Sequence, residues 1–337
     1  MQATVPAKTV LPVSETDAEA LVARIAGSRP DCVIVEGVAL LTVLKRLRHA
    51  LPQGTRIVVD FHNLESALLA EQDRARLPPP LRSLSGIAFA GRWRAARRAD
   101  REAAMLADSI WVCSQRDRAL LADIHQQAAP VHVVPNPVPD WCTTGRMEPS
   151  TMASDRPRLL FVGHLSYPPN KAAVRRLVRE ILPDLTRRFA HAELTVAGRA
   201  PGKRLRTLVE RCPQARLAAD PPDLAPLYGA ADIAVMPLSE GGGSRIKVLE
   251  AMAVGCPVIA SAKAVEGLDV QAGRHYLHAE TSAQFVAAIE TLCRDAALRE
   301  RLRHGAADFV RSVHAPDRIA AAVAEALART PAGKRDR

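Results

Sequence analysis

Residues 239–268 read SEGGGSRIKVLEAMAVGCPVIASAKAVEGL. An apolar run ending in Met236, Pro237 and Leu238 leads into Gly241, Gly242 and Gly243. Behind them Ile246, Leu249, Met252 and Ala253 recur at the spacing of one helix face, and PVIAS then reads as a strand. Glycines at a strand-to-helix junction let main-chain N–H groups approach a phosphate, and the helix N-terminus adds a partial positive charge. Arg245 and Lys247 stand in that first turn, where the helix dipole disfavours cations. A bound anion would resolve the conflict. On local physics alone the stretch is equally a glycine-rich loop carrying two solvated basic side chains.

Other segments fall around it in a fixed order. FVGHLSYPPNKAAVRRLVREILPDL (161–185), VAGRA, DLAPLYGAADIAVMPL and AVEGLDV accompany GGGSRIKVLEAMAVGCPVIAS. Together they resemble the donor-binding half of GT-B glycosyltransferases of the GT4 type (glycosyl transferases group 1), in the subgroup with a Gly-Gly-Gly-Thr-Arg-Leu-Lys-like run. The likeness extends over about residues 33–327 and is densest over 159–268. It implies an α/β chain of two Rossmann-like domains facing each other across a cleft. Residues 1–145 would form the acceptor-side domain and 157–313 the donor-binding domain, with 141–156 as linker. Residues 314–330 would form a last helix, placed either with the second domain or crossing back to the first.

Composition is compatible with this. The 337 residues suffice for two domains, and 48% hydrophobic with 24% charged residues describes a globular protein rather than a disordered one. Aromatics make up only 4%, so the core must rely on Leu, Val, Ile and Ala. No apolar run approaches the roughly 20 residues that span a bilayer. The first residues lack the apolar stretch of a signal peptide. The six cysteines are widely spaced with no CxxC pair, which favours reduced thiols and a cytoplasmic location over a disulfide framework or a zinc site. A net charge of +10 calls for anionic partners. Nucleic acid is not expected, because the basic residues are not interleaved with aromatics.

Strand–helix alternation runs through the whole chain. CVIVEG (32–37) and RIVVDF (56–61) read as strands buried on both faces, and the second runs into HNLES. His62 there is either a histidine satisfying backbone groups at a strand end or a cleft residue. The resemblance favours the latter, near the reacting sugar and acceptor, since His62, Asn63 and Glu65 match the family's HNxE pattern. Residues 81–107 read as a long helix with a break near Gly86; Glu102 within it matches a family glutamate. Its Arg92, Arg94, Arg97, Arg98 and Arg101 surround Trp93, which suits either a solvated face or contact with an anionic membrane. Strands are expected at 107–114 and 131–140, and a helix, capped by Ser114, begins at Gln115. In the second half 158–163 opens a buried strand and 172–189 a helix. The resemblance turns the loop between them toward the donor diphosphate, with Gly163, His164, Asn170 and Lys171 as contacts. Arg199 either reaches the nucleotide or covers the surface, and Asp223 is as good an N-cap as a ligand. Residues 281–292, 295–313 and 316–328 read as helices, and the tail beyond as disordered.

Two departures qualify the resemblance. GT4 enzymes carry two glutamates seven residues apart around the donor sugar; Glu250 matches the second, but the first falls on Gly242, with Glu240 displaced by two. Glu250 remains suited to the ribose hydroxyls, a carboxylate accepting both hydrogen bonds of a cis-diol, or is simply a helix glutamate. The family's opening strand–glycine–helix unit is not recognised before Cys32, so the first domain is expected to lack its first βα unit. The expected activity is retaining, metal-independent transfer from a nucleoside diphosphate sugar, with no other cofactor, to a glycan or lipid-linked acceptor. Its setting would be cell-envelope or exopolysaccharide synthesis. His62, Arg245 and Lys247 would be catalytic; Gly241, Gly242, Gly243, Ser244 and Glu250 would hold the donor. Alternatives are a GT-B protein that binds nucleotide-sugar without transfer and serves as a partner subunit, or an isomerase whose acid/base carboxylates cannot be placed.

Overall fold

The computed structural model describes residues 13–124, 129–144, 155–242 and 245–331. They group into two compact units, one containing the chain up to Pro135 and again from Ile319, the other running from Asn136 to Gly241 and from Arg245 to Arg318. Gly243, Ser244, residues 145–154 of the expected linker and the tail from 332 lie outside the described residues.

The first unit holds a parallel sheet of β1 (Cys32–Glu36), β2 (Arg56–Phe61), β3 (Ser109–Val112) and β4 (Val131–Val133), paired in that order. Ile57, Val58, Val59 and Phe61 on β2 are buried, as parallel strands covered on both faces require. Helix Ala90–Leu106 turns Ala96, Ala99, Ala103 and Ala104 inward. Small side chains let it lie close to its neighbours, which is how a core short of aromatics stays dense. β4 stops well short of the 131–140 expectation, because Pro135, Pro137 and Pro139 cannot donate to a ladder. Helix Glu65–Arg76 was not foreseen: it begins inside the polar HNLES stretch, and Ser66 N–H is taken by the buried Asp100 carboxylate at 2.9 Å. The break expected near Gly86 comes at Phe89.

Helix Pro316–Ala328 closes the chain. Ala326 packs with Val58 and Trp111 in a small core, and the Arg56 guanidinium donates to Leu327 O at 3.0 Å.

The second unit has the sheet order β10-β9-β8-β5-β6-β7. Its strands are β5 (Arg158–Val162), β6 (Glu193–Gly198), β7 (Ala215–Ala219), β8 (Ile233–Met236), β9 (Val258–Ala260) and β10 (Leu277–His278). The chain moves outward from β5 through β6 to β7, then returns to β8 on the other side of β5. The loops after β5 and β8 therefore diverge, and open α/β sheets place ligands in such a crevice. The helix expected at 172–189 starts earlier, at Pro168, where the missing N–H costs nothing. A wide π turn over Leu177–Ile181 precedes Pro183, which could not have continued an ordinary α-helical ladder. Trp141 and Cys142 pack with the core of this unit.

Candidate active site

At the C-terminal ends of β5 and β6 lies a cleft of about 400 Å³, entirely within the second unit. Gly163 and His164 enter it from the loop after β5, Gly198 and Arg199 from the end of β6, and Lys247 and Glu250 from helix Ile246–Ala253 after β8. Residues three apart on a helix share a face, so Lys247 and Glu250 point the same way.

Gly163 and Gly198 let their neighbours close in. A Cβ there would stand 2.8 Å from Asn170 Nδ2 and 3.1 Å from Lys247 Nζ, while one on Gly198 would meet Gly163 O at 1.7 Å. Asn170 is buried and ties the floor together, donating to His164 O at 2.9 Å and accepting from Lys247 Nζ at 2.5 Å. The Lys247 ammonium also sits over the Phe161 ring, 5.1 Å from its centroid. Burial first, then the neighbouring Arg245 charge, brings Lys247 down from 10.5 to about 8. A cation so placed gains from an anion at its side. Glu250 is buried, and its Oε2 accepts from Tyr228 OH at 3.2 Å. Burial raises its pKa, opposed by the Tyr228 hydrogen bond and by Lys247.

Arg245 takes a different position from Lys247. It precedes the helix in a left-handed conformation at φ 53, and its side chain is 7% exposed. The guanidinium donates to Gly241 O at 2.8 Å and pairs with Glu266 Oε2 at 3.2 Å, while Lys263 reaches the same carboxylate at 2.5 Å. Among the described residues the cleft is lined by Lys247 and not by Arg245. Gly241, at φ +106 with Pro169 side-chain atoms 2.8 Å from any added Cβ, admits no larger residue. Gly242 is half-buried, and Lys171 is half-buried on helix Pro168–Arg176, away from the cleft lining.

Two contributors escaped sequence reading. Tyr228 caps the Glu250 carboxylate, and Trp141, read as linker, lines the cleft and packs against Tyr228 with ring centroids 5.8 Å apart. The signal was scarcity: the chain has only three Tyr and three Trp, so an aromatic in either segment merited a role. Asp223 lines the cleft and accepts from Ala225 N–H at 2.9 Å, an Asx turn one residue ahead of the Leu224 N-cap, so it is not the cap that the sequence suggested.

In the first unit, His62 follows β2 and stands between two carboxylates, Nδ1 3.5 Å from Asp60 and Nε2 3.6 Å from Glu36. Glu102 pairs with Lys45 at 2.6 Å. On the basic helix, Asp73 takes Arg92 at 2.9 Å and Trp93 Nε1 at 3.2 Å, which holds the indole against its own unit; Arg94, Arg97, Arg98 and Arg101 are exposed. Among the described residues no helix is long and apolar enough to cross a membrane.

Residues 156–295 match the family model described as glycosyl transferases group 1. The fold is shared with sucrose-phosphate synthase from Thermosynechococcus elongatus (TM-score 0.69, 19% identity, 93% of this chain and 76% of that one). It is shared equally with a glycosyltransferase from Rickettsia africae (0.66, 14%, 92% and 79%) and with Anabaena HepE in complex with UDP and glucose (0.65, 16%, 92% and 81%). No protein of curated function matches the sequence. The match to group 1 glycosyl transferases is confined to residues 156–295 within the second unit, and the fold of the chain is that of the GT-B glycosyltransferases.

Proposed function

We propose that the chain transfers a glycosyl residue from a nucleoside diphosphate sugar to a glycan or lipid-linked acceptor, with retention and without a metal. The setting is cell-envelope or exopolysaccharide synthesis in the cytoplasm, at the inner membrane face. The observation that carries the donor half is the cleft joining Gly163, Lys247 and Glu250 where strand order reverses. As the glycosidic bond breaks, charge develops on the leaving diphosphate. Lys247 and the main chain at Gly163 stabilise it, and preorganised groups of this kind contribute about 3 kcal/mol each to the barrier. Arg245 acts one step removed, holding the glycine loop through Gly241 O. Glu250, kept in place by Tyr228, accepts from the ribose hydroxyls, and Arg199 closes over the nucleotide. His62 serves the acceptor side.

Gly242, where the family has its first acid, favours the second reading, a subunit that binds donor without using it. One assay separates the two. The protein is incubated with UDP- and GDP-sugars and a polyprenyl-phosphate-linked or glycan acceptor, and released nucleotide is measured. Release that depends on Lys247 and His62 supports transfer; tight binding with no release from any donor supports the subunit.

A further inference from the structure

We propose that Asp60, His62 and Cys113 form a binding site for a thiophilic divalent cation of the zinc class, with Glu36 holding the other ring nitrogen of His62. The site lies within the first unit, and a cation held there would occupy His62 and withdraw it from the acceptor-side role proposed above, so its test is made without donor or acceptor.

Strand register creates it. Glu36 pairs with Asp60 across β1 and β2, and Phe61 pairs with Val112 across β2 and β3, so Cys113 comes level with His62. Side chains alternate along a strand, and Asp60 and His62 are two apart. All four residues therefore leave the sheet on one side, at the C-terminal ends of three adjacent strands. One ligand atom each from Asp60, His62 and Cys113 lies within 4.8 Å of the others, and Glu36 Oε2 is 3.6 Å from His62 Nε2. Ligands of a tetrahedral zinc ion stand about 3.5 Å apart, so small side-chain rotations close the set.

The donor set selects the metal. Thiolate with imidazole prefers zinc-class ions over magnesium or calcium, which take oxygen ligands. Two carboxylates near one imidazole also leave an excess of negative charge that a divalent cation offsets. The Glu36 side chain is 71% and that of His62 45% exposed, so ions reach the site from solvent and a water completes the shell. Binding converts the Cys113 thiol to thiolate and releases its proton to solvent.

Co²⁺ titrated into the full chain is the probe, because thiolate coordination gives a near-ultraviolet charge-transfer band that needs no enzymatic assay. One equivalent should develop the band, and Zn²⁺ should abolish it. Cys113→Ser should remove it without changing the circular dichroism spectrum, Asp60→Asn and His62→Ala should weaken binding at least tenfold, and Cys212→Ser should change nothing. Should Cys113→Ser fail to fold, protection of Cys113 from alkylation by Zn²⁺ in the wild type, read by mass spectrometry, replaces it. A wild type without the band, a band that survives loss of Cys113, unchanged affinity in the other two variants, or an unprotected Cys113 would overturn the site.

Discussion

Lys247 is the residue on which the proposed donor site turns, and its pH behaviour gives a direct test. Its folded pKa of about 8 lies below the ordinary 10.5, so between those values the unfolded chain holds the proton more tightly than the folded one. Its contribution to stability therefore rises with pH across that window and is smallest below it. Urea unfolding of the ligand-free protein should show this rise, and Lys247→Met should flatten it. A diphosphate beside the ammonium reverses the shift, so UDP titrations near pH 8 should take up a proton, seen as a binding heat that depends on the buffer. Gly198→Ala tests packing rather than charge. Its Cβ would strike a main-chain carbonyl at 1.7 Å, which cannot move aside as a side chain could. A loss of about 3 kcal/mol in unfolding free energy is expected. Gly163→Ala displaces only Asn170 and Lys247 and should lower nucleotide affinity more than stability. That Lys247 and Glu250 share a face was legible from their helical spacing, whereas Gly163 was singled out only by the family resemblance. The difference between Lys247 and Arg245 was not legible, because it depends on Glu266, twenty-one residues onward and visible as a partner only in the fold.

At the level of elements, the two sheets repeat one device. Asp108 leads into β3 and accepts from Ile57 N–H of β2 at 2.8 Å and from Arg48 at 2.9 Å. Asp232 leads into β8 and accepts from Arg158 N–H of β5 at 2.9 Å and from its guanidinium at 2.7 Å. Each follows an alanine, in ADSI and ADIA, and each is buried at the N-terminal edge of a neighbouring strand. Replacing either with alanine leaves a main-chain donor unpaired. Asp108→Ala should cost about 3 kcal/mol, because Arg48 is itself only 10% exposed, and Asp232→Ala about 2 kcal/mol, because Arg158 is 42% exposed. Chemical denaturation of the two variants checks both values and their order. The basic helix Ala90–Leu106 offers a separate test of the proposed membrane contact. Arg94, Arg97, Arg98 and Arg101 are exposed, as is Ile87 (81%) on the short helix that precedes them. Reversing the four charges should release the protein from anionic vesicles in flotation, with neutral vesicles as control. Most strands and helices could be placed in advance, since their apolar spacing is local. Helix Glu65–Arg76 was missed because an aspartate on another helix satisfies its start.

Across the whole molecule, the chain leaves its first sheet after β4, builds a second, and adds its last helix to the first unit. That return makes the first unit depend on the far end of the sequence. Truncation after Arg318 would uncover Val58 and Trp111, and the first unit should melt at lower temperature and aggregate. Periodicity foresaw the helix, but the surface it covers is set by Ala326, Val323 and Leu327 meeting residues more than two hundred positions earlier. The proposed roles divide likewise, with the donor site in one unit and His62 in the other. The most direct measurement is calorimetric titration of UDP and GDP into the wild type and Lys247→Ala. At least tenfold weaker binding of the preferred nucleotide, with the fold intact, is predicted from losing one charged contact of about 1.5 kcal/mol or more. Equal affinity in the two proteins would contradict the placement of the diphosphate in this cleft.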